Sequence, residues 1–102
     1  MTDHLANIKK YDSHADEDVV KRLVNRLSLV LQNRDTAMVA TTDQEELARV
    51  EKNWAQDKLG ADSETSKQAV HKVADEMKGE HMKNRVTFYY LVAKELGALN
   101  KI

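Results

Sequence analysis

The stretch Arg85-Val86-Thr87-Phe88-Tyr89-Tyr90-Leu91-Val92-Ala93-Lys94-Glu95-Leu96 decides the fold. After Arg85, only Thr87, Lys94 and Glu95 interrupt an apolar surface that runs nearly all the way round a helical axis. A soluble helix of this kind has to be wrapped by other elements. The chain is therefore predicted to be all-α: a compact bundle of about five helices, with the C-terminal helix central and buried.

The rest of the chain supplies wrapping helices. Val19, Val20, Leu23, Val24, Leu27, Val30 and Leu31 fall within one arc at 100° per residue, opposite Lys21, Arg22, Asn25, Arg26, Ser28 and Gln32. Ser13 or Asp16 caps this helix, and Asp16, Glu17 and Asp18 suit its positive end. Leu29 alone lies off the stripe. Upstream, Thr2-Asp3 caps a short arm in which Leu5, Ile8 and Tyr11 share a side. Downstream, Thr42-Asp43-Gln44-Glu45 has the form of a capping box. It opens a helix with Leu47, Val50 and Trp54 on a narrow stripe. Asp62 or Ser63 starts the next helix, which turns Val70, Val73, Ala74 and Met77 inward. Gly60, Gly79 and Gly97 each follow a helical pattern, where a left-handed residue closes the last turn. Residues 33–41 are the least defined, with Asp35 predicted to cap a short helical turn burying Met38 and Val39. Leu99 and Ile102 are placed to fold back onto the core.

Composition narrows the function classes. The 102 residues suit one domain, 1–102, and the 41% hydrophobic and 32% charged content suits a globular chain. Sixteen basic against seventeen acidic residues give a net charge of -1, which argues against a dedicated nucleic-acid or membrane-surface binder. With no cysteine, thiolate metal sites, disulfides and thiol catalysis are excluded. The start lacks the pattern of a secretory signal, and no apolar run approaches a membrane span. The expected location is the cytoplasm, and the expected state a monomer or weak homodimer.

The segment Lys83-Asn84-Arg85-Val86-Thr87-Phe88-Tyr89-Tyr90-Leu91, the opening Asp3-His4-Leu5-Ala6-Asn7-Ile8-Lys9-Lys10-Tyr11 and the turn Lys58-Leu59-Gly60 together resemble a small alphaproteobacterial family, the domain of unknown function 2853. The resemblance spans essentially the whole chain. It implies a compact helical domain with steeply crossing helix pairs, as in calcium-binding helix-loop-helix folds. It implies no activity, and it supplies no functional residues to carry over.

That shape analogy makes calcium worth testing against the residues. A calcium loop needs oxygen ligands at positions 1, 3 and 5, glycine at 6 and an acid at 12. Counting from Asp12 puts Glu17 at the sixth position and Leu23 at the twelfth. Counting from Asp62 puts Val73 at the twelfth, again without the glycine. Both fail. His4, His14, His71 and His81 form no ligand-spaced pair, so no metal and no cofactor are predicted. No nucleophile elbow, phosphate loop or dinucleotide fingerprint is present. The carboxylates read as solvated-face partners of lysine and arginine, such as Glu45 with Arg49 and Glu76 and Glu80 near Lys72 and Lys83. The balance leans against an enzyme.

Two readings carry weight. The first is a non-catalytic protein-interaction or regulatory domain that uses its exposed helix faces. The alternative is a binder of a small anionic or phosphorylated ligand at the start of the last helix. There Lys78-Gly79-Glu80-His81-Met82-Lys83-Asn84-Arg85 leads into free helix amides, with Lys83, Asn84 and Arg85 as the candidate residues and Lys67 and His71 extending the positive side. An enzyme with an unrecognised site is third. Phe88, Tyr89, Tyr90 and Trp54 read as core rather than as a stacking platform for bases. The tyrosine hydroxyls are expected to find Glu95 or a backbone carbonyl.

Overall fold

The C-terminal apolar stretch folds as α6 (Arg85–Glu95), and its burial organises everything else. In the computed structural model, which describes residues 4–32, 37–39, 43–79 and 83–102, Val86, Phe88, Val92 and Ala93 are fully buried and Tyr90 nearly so. Around α6 lie α1 (His4–Lys9), α2 (Glu17–Arg26), the short α3 (Ser28–Leu31), α4 (Gln44–Arg49) and α5 (Ser63–Glu76). A 3₁₀ turn, Leu99–Lys101, follows α6. It brings Ile102 onto the core, as the sequence suggests, with Leu99 packed at the margin. No helix among the described residues is long and apolar enough to cross a membrane.

Local sequence explains the helix starts. Of the candidate caps, Asp16 and Asp62 are the ones used, accepting from the amides of Asp18 at 2.8 Å and Thr65 at 2.7 Å. The capping box resolves one residue later than expected. Asp43 caps α4 by accepting from Glu45 N–H at 3.0 Å, while Thr42 lies outside the described residues. The shorter carboxylate side chain reaches the second amide of its own turn, which is ordinary capping geometry.

The structure departs from the sequence reading in four places. The long first helix breaks at Leu27, whose φ of -97 and ψ of 9 divide it into α2 and α3. Met38–Val39 is not a helical turn but a strand, β1, paired antiparallel with β2 (Lys83–Asn84) in the register Met38 with Asn84 and Val39 with Lys83. Pairing satisfies backbone groups beside the buried start of α6 that an isolated helical turn would leave open. Gly60 and Gly97 are left-handed at φ 74 and 66 and close their helices as predicted, whereas Gly79 has no positive φ. Finally, α4 runs directly into a π-helix at Val50–Gln56. There Asp57 N–H donates to Lys52 C=O and Leu59 N–H to Trp54 C=O, both at 3.0 Å. These five-residue spacings widen the helix.

Side-chain ties fix the periphery to α6. Lys72 of α5 meets Glu95 at 2.9 Å. Tyr90 hydroxyl donates to Asp12 at 2.9 Å, so its partner is neither of the groups expected. Thr87 hydroxyl donates to Asn7 on α1.

Candidate functional site

The entry turn of α6 carries Lys83, Asn84 and Arg85, all buried. Asn84 caps the helix: its Oδ1 accepts from Val86 N–H at 2.9 Å and Thr87 N–H at 3.3 Å. With the oxygen so used, the Asn84 amide nitrogen is the group that faces His4 Nδ1 at 3.1 Å. The amides that the sequence offers to an anion are thus held by the chain's own side chain. Arg85 is equally committed. Its Nη2 donates to Glu46 Oε1 at 2.5 Å and to Met38 C=O at 3.1 Å, and its Nη1 donates to Tyr89 hydroxyl at 3.1 Å. One guanidinium therefore ties β1, α4 and α6 together. Glu80, His81 and Met82 lie outside the described residues.

Glu46 is the acceptor of two arginines, since Arg49 also donates to it at 2.8 Å. Burial pushes its carboxyl up, but the hydrogen bonds and charge of Arg49 and Arg85 outweigh this and hold it below the usual range. Sequence spacing offered Glu45 as Arg49's partner. The structure selects Glu46, one turn back at i, i+3 and on the half-buried side of α4.

From Arg85 a line of contacts leads to the surface. The guanidinium carbon lies 5.5 Å from the centre of the Tyr89 ring, within cation–π range. Tyr89 in turn stacks on Trp54 with ring centres 5.0 Å apart and planes at 25°. Trp54 indole N–H donates to Tyr89 C=O at 3.0 Å, so the indole is held at both its face and its edge. The two aromatics open into a notch of 160 Å³ that Arg26, Leu27, Asn53 and Lys58 complete. Arg26 and Lys58 are exposed, and neither side chain has an ion-pair or hydrogen-bond partner among the described residues.

A second concavity, of 290 Å³, lies between α4, the π-helix and α5. It is lined by Gln44, Leu47, Glu51, Lys67 and His71. The two hollows share one structural source, because the π-helix supplies Glu51 to one and Asn53 and Trp54 to the other. Wide helical turns of this kind recur at functional sites. Among the described residues no group of three or more metal-ligating side chains comes together.

A family model described as "Protein of unknown function (DUF2853)" matches residues 3–100. The chain belongs to that family. No curated protein and no solved structure matches it. For this DUF2853 domain the geometry itself therefore has to carry the functional reading.

Sequence reasoning placed Trp54 and Tyr89 near the core but missed the notch they form. The missing information was the π-helix, which leaves no mark in composition or capping. Arg26 stands on the polar face of the first long helix and Lys58 in the turn before Gly60; nothing in the sequence says that α2 and the turn after the π-helix bring them to one hollow.

Proposed function

We propose that this domain is a non-catalytic protein-interaction module, and that its notch receives an apolar or aromatic side chain from an acidic segment of a partner protein. The observation that carries this reading is the stacked Trp54–Tyr89 pair opening between two unpaired cations, Arg26 and Lys58. Tryptophan, tyrosine and arginine are the residue types that concentrate binding energy at interfaces, where a rigid aromatic wall surrounded by polar groups excludes water. Two cations at the rim favour an acidic partner and speed its approach. Leu29, 80% exposed, sits two positions beyond Leu27 and adds apolar surface on the same chain segment. The domain is proposed to act in the cytoplasm, as a monomer or weak homodimer.

The alternative, an anionic ligand at Lys83, Asn84 and Arg85, has less support. The internal hydrogen bonds of Asn84 and Arg85 would have to be given up to make such a site.

Trp54 is the protein's one tryptophan, so its emission reports directly on the notch. Short peptides carrying one phenylalanine or leucine between aspartates and glutamates should change that emission saturably. Arg26→Glu with Lys58→Glu should weaken binding by about tenfold or more, given roughly 0.2–1 kcal/mol for each rim pair lost and a similar repulsion gained. An emission unchanged by every acidic peptide, or a titration indifferent to the double reversal, would remove the proposal.

A further inference from the structure

The cleft between α4, the π-helix and α5 stands apart from the notch and has a different chemistry. Gln44, Leu47 and Glu51 follow one another at i, i+3 and i+7, so they line one wall along a single helix face. Lys67 and His71, at i and i+4 on α5, line the other. Leu47, buried, gives the cleft an apolar floor.

Charge is distributed across this cleft in an unusual way. The Glu51 side chain is only 18% exposed, yet its one partner among the described residues is His71 Nε2 at 3.8 Å, beyond hydrogen-bond distance. Lys67 lines the same hollow and has no partner among the described residues. The carboxylate and the ammonium thus face one space without closing on each other, although a direct ion pair would be their simplest arrangement. A recessed carboxylate with open acceptor sites calls for a cationic donor. A lysine and a histidine opposite call for an anion. The hollow is just under the range of about 300–1,000 Å³ typical of drug-sized ligands, so the ligand is of metabolite size.

We propose that this cleft binds a free α-amino acid with an apolar side chain. The α-ammonium is held by Glu51, the α-carboxylate by Lys67 and His71, and the side chain lies over Leu47. Gln44 supplies a neutral amide able to meet either end. Both charges are required together, because either alone would leave the opposite wall desolvated and unmatched. This distinguishes a zwitterion from a simple anion or amine.

The test uses the intact protein and isothermal titration calorimetry with L-leucine and L-methionine. N-acetyl-L-leucine and L-leucinamide serve as controls that delete one charge each. Binding by the free amino acids is expected, with both controls weakened by about tenfold or more, as expected for the loss of one charge-assisted hydrogen bond. Lys67→Met and Glu51→Gln should weaken L-leucine binding by a similar factor. Lys67 is exposed, so its variant should fold even if Glu51→Gln does not. The His71 ring proton resonances should shift on adding L-leucine to the parent and not to Lys67→Met. No heat and no His71 shift up to about 10 mM ligand, controls that bind as tightly as L-leucine, or unchanged affinity in Lys67→Met would each overturn the proposal. The notch is read by Trp54 emission with peptides, so the two ideas fail separately.

Discussion

Replacing Arg85 by methionine should destabilise the protein through a defined set of lost contacts. The guanidinium sits at 11% side-chain exposure against a Glu46 carboxylate at 13%, and it also holds Met38 C=O and Tyr89 hydroxyl. Removing one partner of a buried ion pair costs about 3–5 kcal/mol, mainly because the other charge is left without compensation. Here Arg49 still reaches Glu46 at 2.8 Å, which places the expected loss at the lower end, about 3 kcal/mol. That is a large share of the total stability of a small domain, so urea unfolding followed by far-ultraviolet circular dichroism is best run in the cold with a stabilising osmolyte. Glu46→Gln removes the charge from the other side. If the pair is coupled, the double variant should be less destabilised than the sum of the two single variants by more than about 1 kcal/mol. A loss below about 0.5 kcal/mol in Arg85→Met, of the size expected for an ordinary surface change, would refute the reasoning. So would strict additivity with Glu46→Gln.

Other tests follow from features already described. Asn84→Ala should cost about 1–2 kcal/mol, because two α6 amides lose their acceptor, whereas Asn84→Ser should recover most of it; chemical denaturation separates the two. Gly60→Ala and Gly97→Ala should each cost about 1–2 kcal/mol for forcing a Cβ into left-handed backbone, while Gly79→Ala, with open space around the new Cβ, should be neutral or stabilising by up to about 1 kcal/mol. Melting temperatures of the three variants check this contrast. Burial, then the hydrogen bond to Asp12 and its charge, push Tyr90 up to about 12. A tyrosine whose folded value lies above its ordinary 10 contributes stability below pH 10 that is lost as pH rises through 12. Absorbance at the phenolate band during alkaline titration should show a late-ionising phase from Tyr90, and Tyr90→Phe should remove that phase. At the acid end the signs reverse. Burial raises Asp12, but Tyr90, the His14 amide and Lys94 together hold it low, so its contribution, like that of Glu46, is lost as pH falls below the ordinary carboxylate range.

How much the residues disclose in advance depends on whether the deciding interaction is local. The buried character of α6 and the inward faces of α2 and α5 were legible because helical period and apolar spacing are properties of neighbours three and four apart. The same holds for Asp16 and Asp62 as caps, and for Gly60 and Gly97. Pairing of Met38 with Asn84 spans 46 positions, and two residues are too few to show an alternating pattern. The break at Leu27 leaves the apolar stripe intact, so periodicity reads straight across it. Arg49 had acids available at both i−3 and i−4, and burial on the packed side chose Glu46. At the start of α6 the sequence shows the residue types but not their partners. Arg85 found an acid 39 positions away, and Asn84 turned inward upon the amides. The candidate cleft shows the same limit: Lys67 and His71 were noticed together, but Glu51 reaches them only through tertiary packing.

The π-helix has a consequence for angular phase. In an uninterrupted α-helix begun at Gln44, Leu59 would stand about 120° around the axis from Leu47, yet both are buried, at 2% and 6% exposure. The wide turns absorb what amounts to one surplus residue and rewind the second half of the segment until Leu59 again faces inward. The segment works as a phase shifter between two hollows. Residues before the shift address α5; residues after it address α2 and Tyr89. A chain one residue shorter here would relax to plain α geometry and keep Leu59 inward, because the residue removed is the one the wide turns absorb. Plain α geometry at the present length would instead carry Leu59 about 100° away from the core. Side-chain substitutions at Glu51 or Lys58 would alter one hollow each, whereas one further residue in this segment would turn everything after it by about 100° against the first hollow.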